Sequence, residues 1–283
     1  KIEMENIQKL EKIASQVRRD LLRMIHAKKS GHPGGSLGVT DLLVCLYFEI
    51  MDHNKDFKMD GKNEDIFFLS IGHTSAAWYS VLARSGYFPV KELASFRAID
   101  SRLQGHPATA EGLPGVRIAS GSLGQGLSNA CGAALAKKLN NDKKFVYCLL
   151  GDGEIQEGQV WEAALFAQAR KIDNLIAFID YNGQQIDGTI EDVMNLKNLR
   201  QKWEAFNWIV LECNGNNMQE LISTIKKAQE LSGKEQPIMI LSKTEMGHGV
   251  DFMTGSHKWH GVPPSDEQLE NALSQLEETL GDY

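Results

Sequence analysis

Two short polar segments follow directly after predicted buried strands and could bind a metal ion. One is GDGE at 151–154, and the other is DYNG at 180–183. Asp152 and Asn182 are separated by 30 positions, which is room for one helix and one strand, so a right-handed crossover returns Asn182 to the same sheet edge. A carboxylate and an amide oxygen suit Mg²⁺ or Ca²⁺, and Mg²⁺ completes its shell with water and phosphate oxygens. The pair therefore predicts a site for a magnesium diphosphate.

Glycines next to these acids support the same chemistry. Gly151 and Gly153 flank Asp152, where a side chain would obstruct the approach of a phosphate to the backbone. A second run, GSLGQG at 121–126, opens a predicted helix at Leu127, and the start of a helix offers free N–H donors to an anion. Each run alone is common in proteins. Their combination predicts a diphosphate site.

The elements that must position these residues alternate between strand and helix. Residues 2–28 have apolar side chains at three- and four-residue steps, which predicts an amphipathic helix that leads into a rigid glycine loop at 30–35. Continuous apolar runs, typical of buried parallel strands, occupy Ile66–Leu69, Phe145–Leu150, Leu175–Ile179, Trp208–Leu211 and Ile238–Leu241. Further helices are predicted over Ser75–Ala83, Leu127–Leu139, Val160–Ala169, Gln219–Leu231 and Asp266–Leu280.

This alternation predicts an α/β protein with an open, mostly parallel twisted sheet and helices on both faces. In such sheets ligands bind beyond the carboxyl ends of the strands, which is where both polar segments stand. The chain has 283 residues, of which 42% are hydrophobic and 24% charged, and no Pro/Gly/Ser-rich linker divides it. We therefore expect a single domain over residues 1–283, because a chain of this length can still fold around one hydrophobic core.

Charge and cysteine usage exclude several classes of function. The net charge is -7 and the basic residues are scattered, so we expect no nucleic-acid partner. No window approaches the ~18 apolar residues of a membrane span, and the mixed charges of the N-terminus do not fit a signal or transit peptide. Cys45, Cys131, Cys148 and Cys213 form no C-x-x-C pair and are interpreted as buried small hydrophobes. A reducing, cytoplasmic location is the expectation.

A run of GDG followed about 30 residues later by Asn resembles the fingerprint of thiamine diphosphate enzymes, and the surrounding motifs resemble the transketolase family. They are SGHPGGSLG (30–38), SIGHTSAAWY (70–79), LQGHP (103–107), SGSLGQGLS (120–128), GDGEIQEGQVWEAA (151–164), DYNGQQIDG (180–188) and KWHGVPP (258–264). The resemblance extends from about His32 to Pro264 and covers only the family's N-terminal, diphosphate-binding domain. It implies thiamine diphosphate and Mg²⁺, or Ca²⁺, as cofactors.

The resemblance also implies roles for individual residues. The metal ligands would be the side chains of Asp152 and Asn182 and the backbone carbonyl of Gln184. Cofactor contacts are implied at His73, Gly121, Ser122, Leu123, Gly153, Asn182, Ile186 and His260, with Ile186 against the thiazolium ring. Met246 stands where the family often has Lys, so a phosphate contact of that kind is not expected here.

Three histidines and one acid are implied to serve the reaction. His32, His106 and His260 would face the sugar, bind its hydroxyls and help to move protons, for which a pKa near neutral pH is suited. Glu157 matches an acid that links paired active sites across a subunit interface in the family. His53, His248 and His257 are interpreted instead as ordinary loop residues.

The resemblance further implies that the site needs a second chain. In the family, a glutamate that contacts the cofactor's pyrimidine ring, and most sugar-phosphate-binding arginines, belong to a further domain that residues 1–283 do not contain. We therefore expect the N-terminal subunit of a split transketolase, inactive alone, which works with a C-terminal subunit in a heterotetramer and transfers a two-carbon ketol unit between sugar phosphates. The alternative explanation of the length is that the chain is a fragment of a longer enzyme.

Other functions are less consistent with the motifs. A deoxyxylulose-phosphate synthase-like enzyme shares GDG and Asn, but the motifs around His32 and His106 favour transketolase. A non-catalytic scaffold of this fold predicts damaged metal ligands, whereas Asp152 and Asn182 are intact. A P-loop kinase or a nucleotide-binding dehydrogenase would require motifs that this sequence lacks.

Overall fold

A five-stranded, fully parallel sheet forms the centre of the protein in the computed structural model, which describes residues 4–283. The strands, in chain order, are β1 (Ile66–Leu69), β2 (Val146–Gly151), β3 (Leu175–Tyr181), β4 (Gln184–Gln185), β5 (Gly188–Thr189), β6 (Ile209–Asn214) and β7 (Ile238–Lys243). The sheet order is β1-β2-β3-β7-β6, while β4 and β5 pair as a small antiparallel ribbon. The predicted open parallel sheet is confirmed.

Helices cover both faces of this sheet. They are α1 (Met4–Lys28), α2 (Pro33–Cys45), α3 (Ser75–Arg84), α4 (Gly126–Leu139), α5 (Gly158–Ala169), α6 (Ile190–Met194), α7 (Leu199–Ala205), α8 (Met218–Leu231) and α9 (Asp266–Ser274). Within residues 4–283, no helix is both long and apolar enough to cross a membrane.

Two apolar cores separated by the sheet account for the continuous hydrophobic runs of the strands. In β2, Tyr147 and Leu149 pack with α1, α2, α3 and α8, whereas Val146, Cys148 and Leu150 pack with α4, α5 and α7. Because successive side chains point to opposite faces, a strand covered on both faces must be apolar at every position. The four cysteines are buried and free, which confirms their interpretation as small core residues.

The predicted glycine loop at 30–35 is shorter in the structure, because residues 33–35 belong to a helix. Helix α2 begins at Pro33, a residue whose fixed φ suits the first turn of a helix. A Cβ on Gly34 would lie 2.7 Å from the Met246 side chain, and one on Gly38 would lie 3.0 Å from the carbonyl of Glu245. These glycines therefore allow a buried helix to pack closely against the segment after β7, and the predicted loop ends at His32.

The last helix also ends earlier than predicted, at Ser274 instead of Leu280. Its start is well defined, because Ser265 and Gln268 form a reciprocal capping box. At its end, Arg19 of α1 donates hydrogen bonds to the carbonyls of Leu273 and Leu276, both at 2.8 Å. The buried guanidinium thus binds the residues that would otherwise continue the helix.

An aromatic cluster, defined as Trp161, Trp203, Phe206 and Trp208, fills the space between α5 and α7. The ring centroids of Trp161 and Trp203 are 4.9 Å apart, and those of Trp203 and Trp208 are 5.0 Å apart. Trp161 Nε1 donates to the carbonyl of Ile155 at 2.9 Å. The cluster therefore connects the core under α5 with the turn that follows β2.

Candidate active site

A cavity of about 370 Å³ lies beyond the carboxyl ends of β1, β2 and β3. This is the position expected for a ligand site in a parallel α/β sheet. Twelve of the thirteen residues to which the resemblance assigns a role line it: His32, His73, His106, Gly121, Leu123, Asp152, Gly153, Glu157, Asn182, Gln184, Ile186 and His260. The thirteenth, Ser122, is exposed next to it.

The two polar segments meet at this edge because β2 and β3 are neighbours. Gly151 and Asp180 are register partners, so Asp152 and Asn182 each extend just beyond the sheet. The Asp152 carboxylate accepts hydrogen bonds from the backbone N–H of Gly153 at 2.8 Å and of Gly183 at 2.6 Å. The predicted return of Asn182 to the edge occupied by Asp152 is confirmed.

The surroundings of the Asp152 carboxyl disfavour its ionised form. Only 2% of Asp152 is exposed, and this burial, together with the charge of nearby Asp180, raises its pKa to about 8. Burial likewise raises the pKa of Asp180 to about 6. Hydrogen bonds from Thr244 and Asn182 to its carboxylate favour the charged form and partly offset this increase. A cation beside Asp152 would favour the ionised form of both carboxyls.

The donor set of this edge fits a magnesium ion. Asn182 Oδ1 accepts from the backbone N–H of Gln184 at 2.8 Å, which holds Gln184 close to the Asn182 side chain. One carboxylate, one amide oxygen and one backbone carbonyl are hard oxygen ligands, and Mg²⁺ commonly takes its remaining ligands from phosphate and water. Within residues 4–283, no group of three or more His, Cys, Asp or Glu is placed so that it could hold a metal ion.

Four histidines from distant parts of the sequence form a cluster on the other side of the cavity. The ring centroid of His32 lies 5.2 Å from that of His73, 6.1 Å from that of His106 and 5.6 Å from that of His260. His32 precedes α2, His73 follows β1, and His106 and His260 belong to long loops. The fold therefore brings together every histidine that the motifs singled out.

The surroundings of these imidazoles favour their neutral form. Burial, followed by the charges of His260, Arg97 and His106, lowers the pKa of His32 to about 4. Burial also lowers the pKa of His73, His106 and His260. The Nδ1 atoms of His32 and His260 are buried without a hydrogen-bond partner, which is costly unless a ligand supplies one. A ligand with hydroxyl or amine groups fits such a cluster.

The glycine-rich segment 120–126 closes the third side of the cavity. Gly121 has a φ of 130°, and a Cβ there would lie 2.9 Å from the ring of His106, so a glycine is required at this position. The Ser120 hydroxyl oxygen is buried without a partner. The segment thus leads into α4 with its backbone close to the cavity.

Two charged residues near the cavity were not identified by their motifs. Arg97 donates from Nη1 to the Ser30 hydroxyl at 2.8 Å, but its Nε and Nη2 atoms are buried without a partner. It lines a neighbouring cavity of about 560 Å³ together with Lys28 and His106, so an anion would fit there. Glu154 lies under the glycine-rich segment with 2% of its surface exposed. Nothing in the local sequence distinguishes either residue from an ordinary loop arginine or turn acid.

Two of the side chains that line the cavity are apolar and exposed. Ile186 is 63% exposed and Leu123 is 37% exposed. Isolated exposed apolar residues are common on protein surfaces.

Comparison with known proteins identifies the family. The family model for the thiamine diphosphate-binding domain of transketolase matches residues 10–279. The chain is 38% identical to a subunit of the apulose-4-phosphate transketolase of Phocaeicola vulgatus, over 97% of this chain and 96% of that protein. It is also 38% identical to the 6-deoxy-6-sulfo-D-fructose transketolase subunit SqwG of a Clostridium species, over 93% of this chain and 94% of that protein.

Larger transketolases match the chain over part of their length. Human transketolase is 34% identical over 98% of this chain and 43% of its own length. The crystal structure of Campylobacter jejuni transketolase superposes with a TM-score of 0.88 at 36% identity, covering 95% of this chain and 43% of that one. The chain belongs to the transketolase family and corresponds to its N-terminal, thiamine diphosphate-binding domain.

Proposed function

We propose that this chain is the diphosphate-binding subunit of a two-subunit transketolase, which transfers a two-carbon ketol unit from a ketose phosphate to an aldose phosphate. The observation that carries the proposal is a single cavity with Asp152 and Asn182 on one side and four buried histidines on the other. The first group suits a magnesium diphosphate, and the second suits a polyhydroxylated substrate.

The cofactor is held by its diphosphate end in this proposal. Asp152, Asn182 and the carbonyl of Gln184 bind Mg²⁺, Gly153 and Asn182 contact the diphosphate, and the segment 121–123 contacts the cofactor. His73 and His260 contact the cofactor, and Ile186 packs against its thiazolium ring. The buried position of Asp152 and its raised pKa support a site that is complete only with a cation. Bound thiamine diphosphate supplies the group that stabilises a carbanion during carbon–carbon bond cleavage.

The protein's own contribution is to position the sugar and move its protons. His32, His106 and His260 hydrogen-bond the hydroxyls of the donor, and a neutral imidazole can accept a proton at one nitrogen and donate from the other. The lowered pKa of these histidines supports this role, because a protonated imidazole could not accept a proton.

Substrates with an anionic end group fit the proposal. Arg97 lies beside His106 with two buried donor atoms that have no partner, where a phosphate would meet a positive charge. The names of the two compared subunits mention a sugar phosphate and a sulfosugar, both of which carry such a group.

A second subunit completes the site in this proposal. Two relatives of nearly the same length are named as subunits, whereas this chain covers 43% of full-length transketolases. The exposed Ile186 and Leu123 beside the cavity support a covering partner, which supplies the C-terminal half of the enzyme. Glu157 contacts its counterpart across a paired active site in a heterotetramer. The four buried free cysteines support a reducing, cytoplasmic setting.

The test is to purify the tagged chain from its native host and to determine its native mass and its partners. Ketol transfer is then assayed with xylulose 5-phosphate, ribose 5-phosphate, thiamine diphosphate and Mg²⁺. We expect a second protein to co-purify, the complex to be active and the isolated chain to be inactive. An isolated chain with full activity, or a complex that is inert on every ketose, would overturn the proposal.

A further inference from the structure

Glu154 is a buried acid to which the motifs assign no role. It begins the short turn Glu154–Gln156 that follows the GDG motif, and 2% of its surface is exposed. A buried carboxylate is costly unless several donors satisfy both of its oxygens. The identity of those donors therefore indicates the function of the residue.

All three donors to Glu154 are neutral and come from separate loops. Oε1 accepts from the backbone N–H of Gly124 at 2.9 Å and from the hydroxyl of Ser70, at the end of β1. Oε2 accepts from the backbone N–H of Gly151, at the end of β2, at 3.0 Å. One carboxylate thus joins the ends of two strands to the middle of the glycine-rich segment.

Ser70 extends this connection to the start of α4. Its hydroxyl donates to Glu154 and accepts from the backbone N–H of Gly126 at 3.1 Å. A Cβ on Gly126 would lie 2.8 Å from the Cα of Ser70, so only glycine allows this approach. The segment is therefore held at Gly124 and at Gly126, directly after the residues Gly121 and Leu123 that line the cavity.

We propose that Glu154 is a positioning residue, which holds the backbone of 121–123 at a fixed place in the cavity wall so that the segment can contact the cofactor. The inference deepens the proposed function, since it assumes that the cofactor contacts this segment. Glu154 lines the cavity. We assign its role to the backbone because both of its oxygens already accept hydrogen bonds from the protein.

The contact pattern requires a carboxylate and not merely a side chain of this shape. Glutamine at 154 would present one oxygen and one NH₂ group to three donors, so one backbone N–H would face a donor. An unpaired buried N–H is unfavourable, and the segment would shift to reach water. Glu154→Gln is therefore a nearly isosteric variant that removes the positioning but keeps the packing.

The first test measures backbone hydrogen exchange in the full-length chain, which needs neither cofactor nor activity. In Glu154→Gln we expect the amide of Gly124 or that of Gly151, whichever faces the new NH₂ group, to exchange at least tenfold faster, with β3 and α8 unchanged. In Ser70→Ala, the amide of Gly126 should exchange faster. Glu230→Gln, an exposed acid on α8, is the matched control and should change nothing. Unchanged exchange at both Gly124 and Gly151, or faster exchange throughout the chain, would overturn the proposal.

The second test uses the assembled complex and separates cofactor binding from turnover. Glu154→Gln should raise the apparent KM for thiamine diphosphate at least tenfold, while kcat at saturating cofactor stays within about threefold of wild type. An unchanged cofactor KM in an active complex would overturn the positioning role and leave the proposed function intact. An inactive wild-type complex would overturn the proposed function, and the exchange experiment would still decide whether Glu154 positions the segment.

Discussion

Asp152 is the residue on which the proposed metal site depends most directly. Replacing it with alanine should weaken the Mg²⁺-dependent binding of thiamine diphosphate to the complex by at least about a hundredfold, because the only carboxylate of the proposed site is lost. Isothermal titration in the presence of Mg²⁺ measures this affinity. Glu191→Gln, an exposed acid on α6, is the control. Undiminished affinity in Asp152→Ala would rule out the assignment.

His106 separates the binding of the cofactor from the use of the sugar. His106→Ala should lower kcat/KM for the ketose by about 10²–10⁴-fold, the usual contribution of a residue that moves protons. Titration with thiamine diphosphate should give an affinity close to that of wild type. His257→Ala, at a histidine interpreted as an ordinary loop residue, should keep its activity. A His106→Ala enzyme with normal kcat/KM would count against its role at the sugar.

At the scale of the elements, the start of α4 depends on the absence of a side chain. Gly126→Ala places a Cβ 2.8 Å from the Ser70 Cα, so we expect a loss of about 1–3 kcal/mol in the free energy of unfolding. The same shift should weaken cofactor binding. Gly132→Ala, further along α4, meets no atom within 4 Å and should stabilise the chain by about 0.5–1 kcal/mol. Denaturant unfolding compares them, and equal stabilities would contradict this prediction.

The sheet was predictable because burial on both faces leaves a clear pattern. The continuous apolar runs gave the five central strands within a few residues, and the parallel order then placed Asp152 and Asn182 at one edge. The start of α2 was not predictable in this way. Its glycines normally indicate a loop, and only the contacts of Gly34 and Gly38 with the segment after β7 explain a helix there.

The site was predictable to the extent that it depends on motifs and not on distant contacts. Asp152, Asn182 and the four histidines stand in recognisable runs, and all of them line one cavity. Glu154 is different, because its partners Ser70 and Gly124 are 84 and 30 positions away. Arg97 was missed for the same reason, since its buried, unpartnered atoms result from the way the loop packs.

At the scale of the whole molecule, the histidine cluster makes the stability depend on pH. The pKa of His32 is about 6.5 when unfolded and about 4 when folded. Between pH 6.5 and pH 4, His32 binds a proton in the unfolded chain but not in the folded chain, so the free energy of unfolding decreases as the pH is lowered. Above pH 6.5 His32 is neutral in both states and causes no such decrease. His73, His106 and His260 act in the same direction.

Substitution of His32 should reduce this dependence. Between pH 7 and pH 5, His32→Asn should lose about 2 kcal/mol less of its free energy of unfolding than wild type, because asparagine does not bind a proton. Urea unfolding at the two pH values measures the difference. His257→Asn is the control and should follow wild type. Equal losses in His32→Asn and wild type would mean that His32 accepts a proton as readily in the folded chain as in the unfolded one.

The aromatic cluster gives the protein an internal optical probe. Trp161 donates to the carbonyl of Ile155, one residue beyond Glu154 and three beyond Asp152, and its ring lies 4.9 Å from that of Trp203. Rings this close couple their electronic transitions, and the indole emission responds to the dipole of the carbonyl that it binds. Occupation of the site at Asp152 can therefore be followed by unlabelled tryptophan fluorescence and near-ultraviolet circular dichroism, and Trp161→Phe should abolish most of the signal.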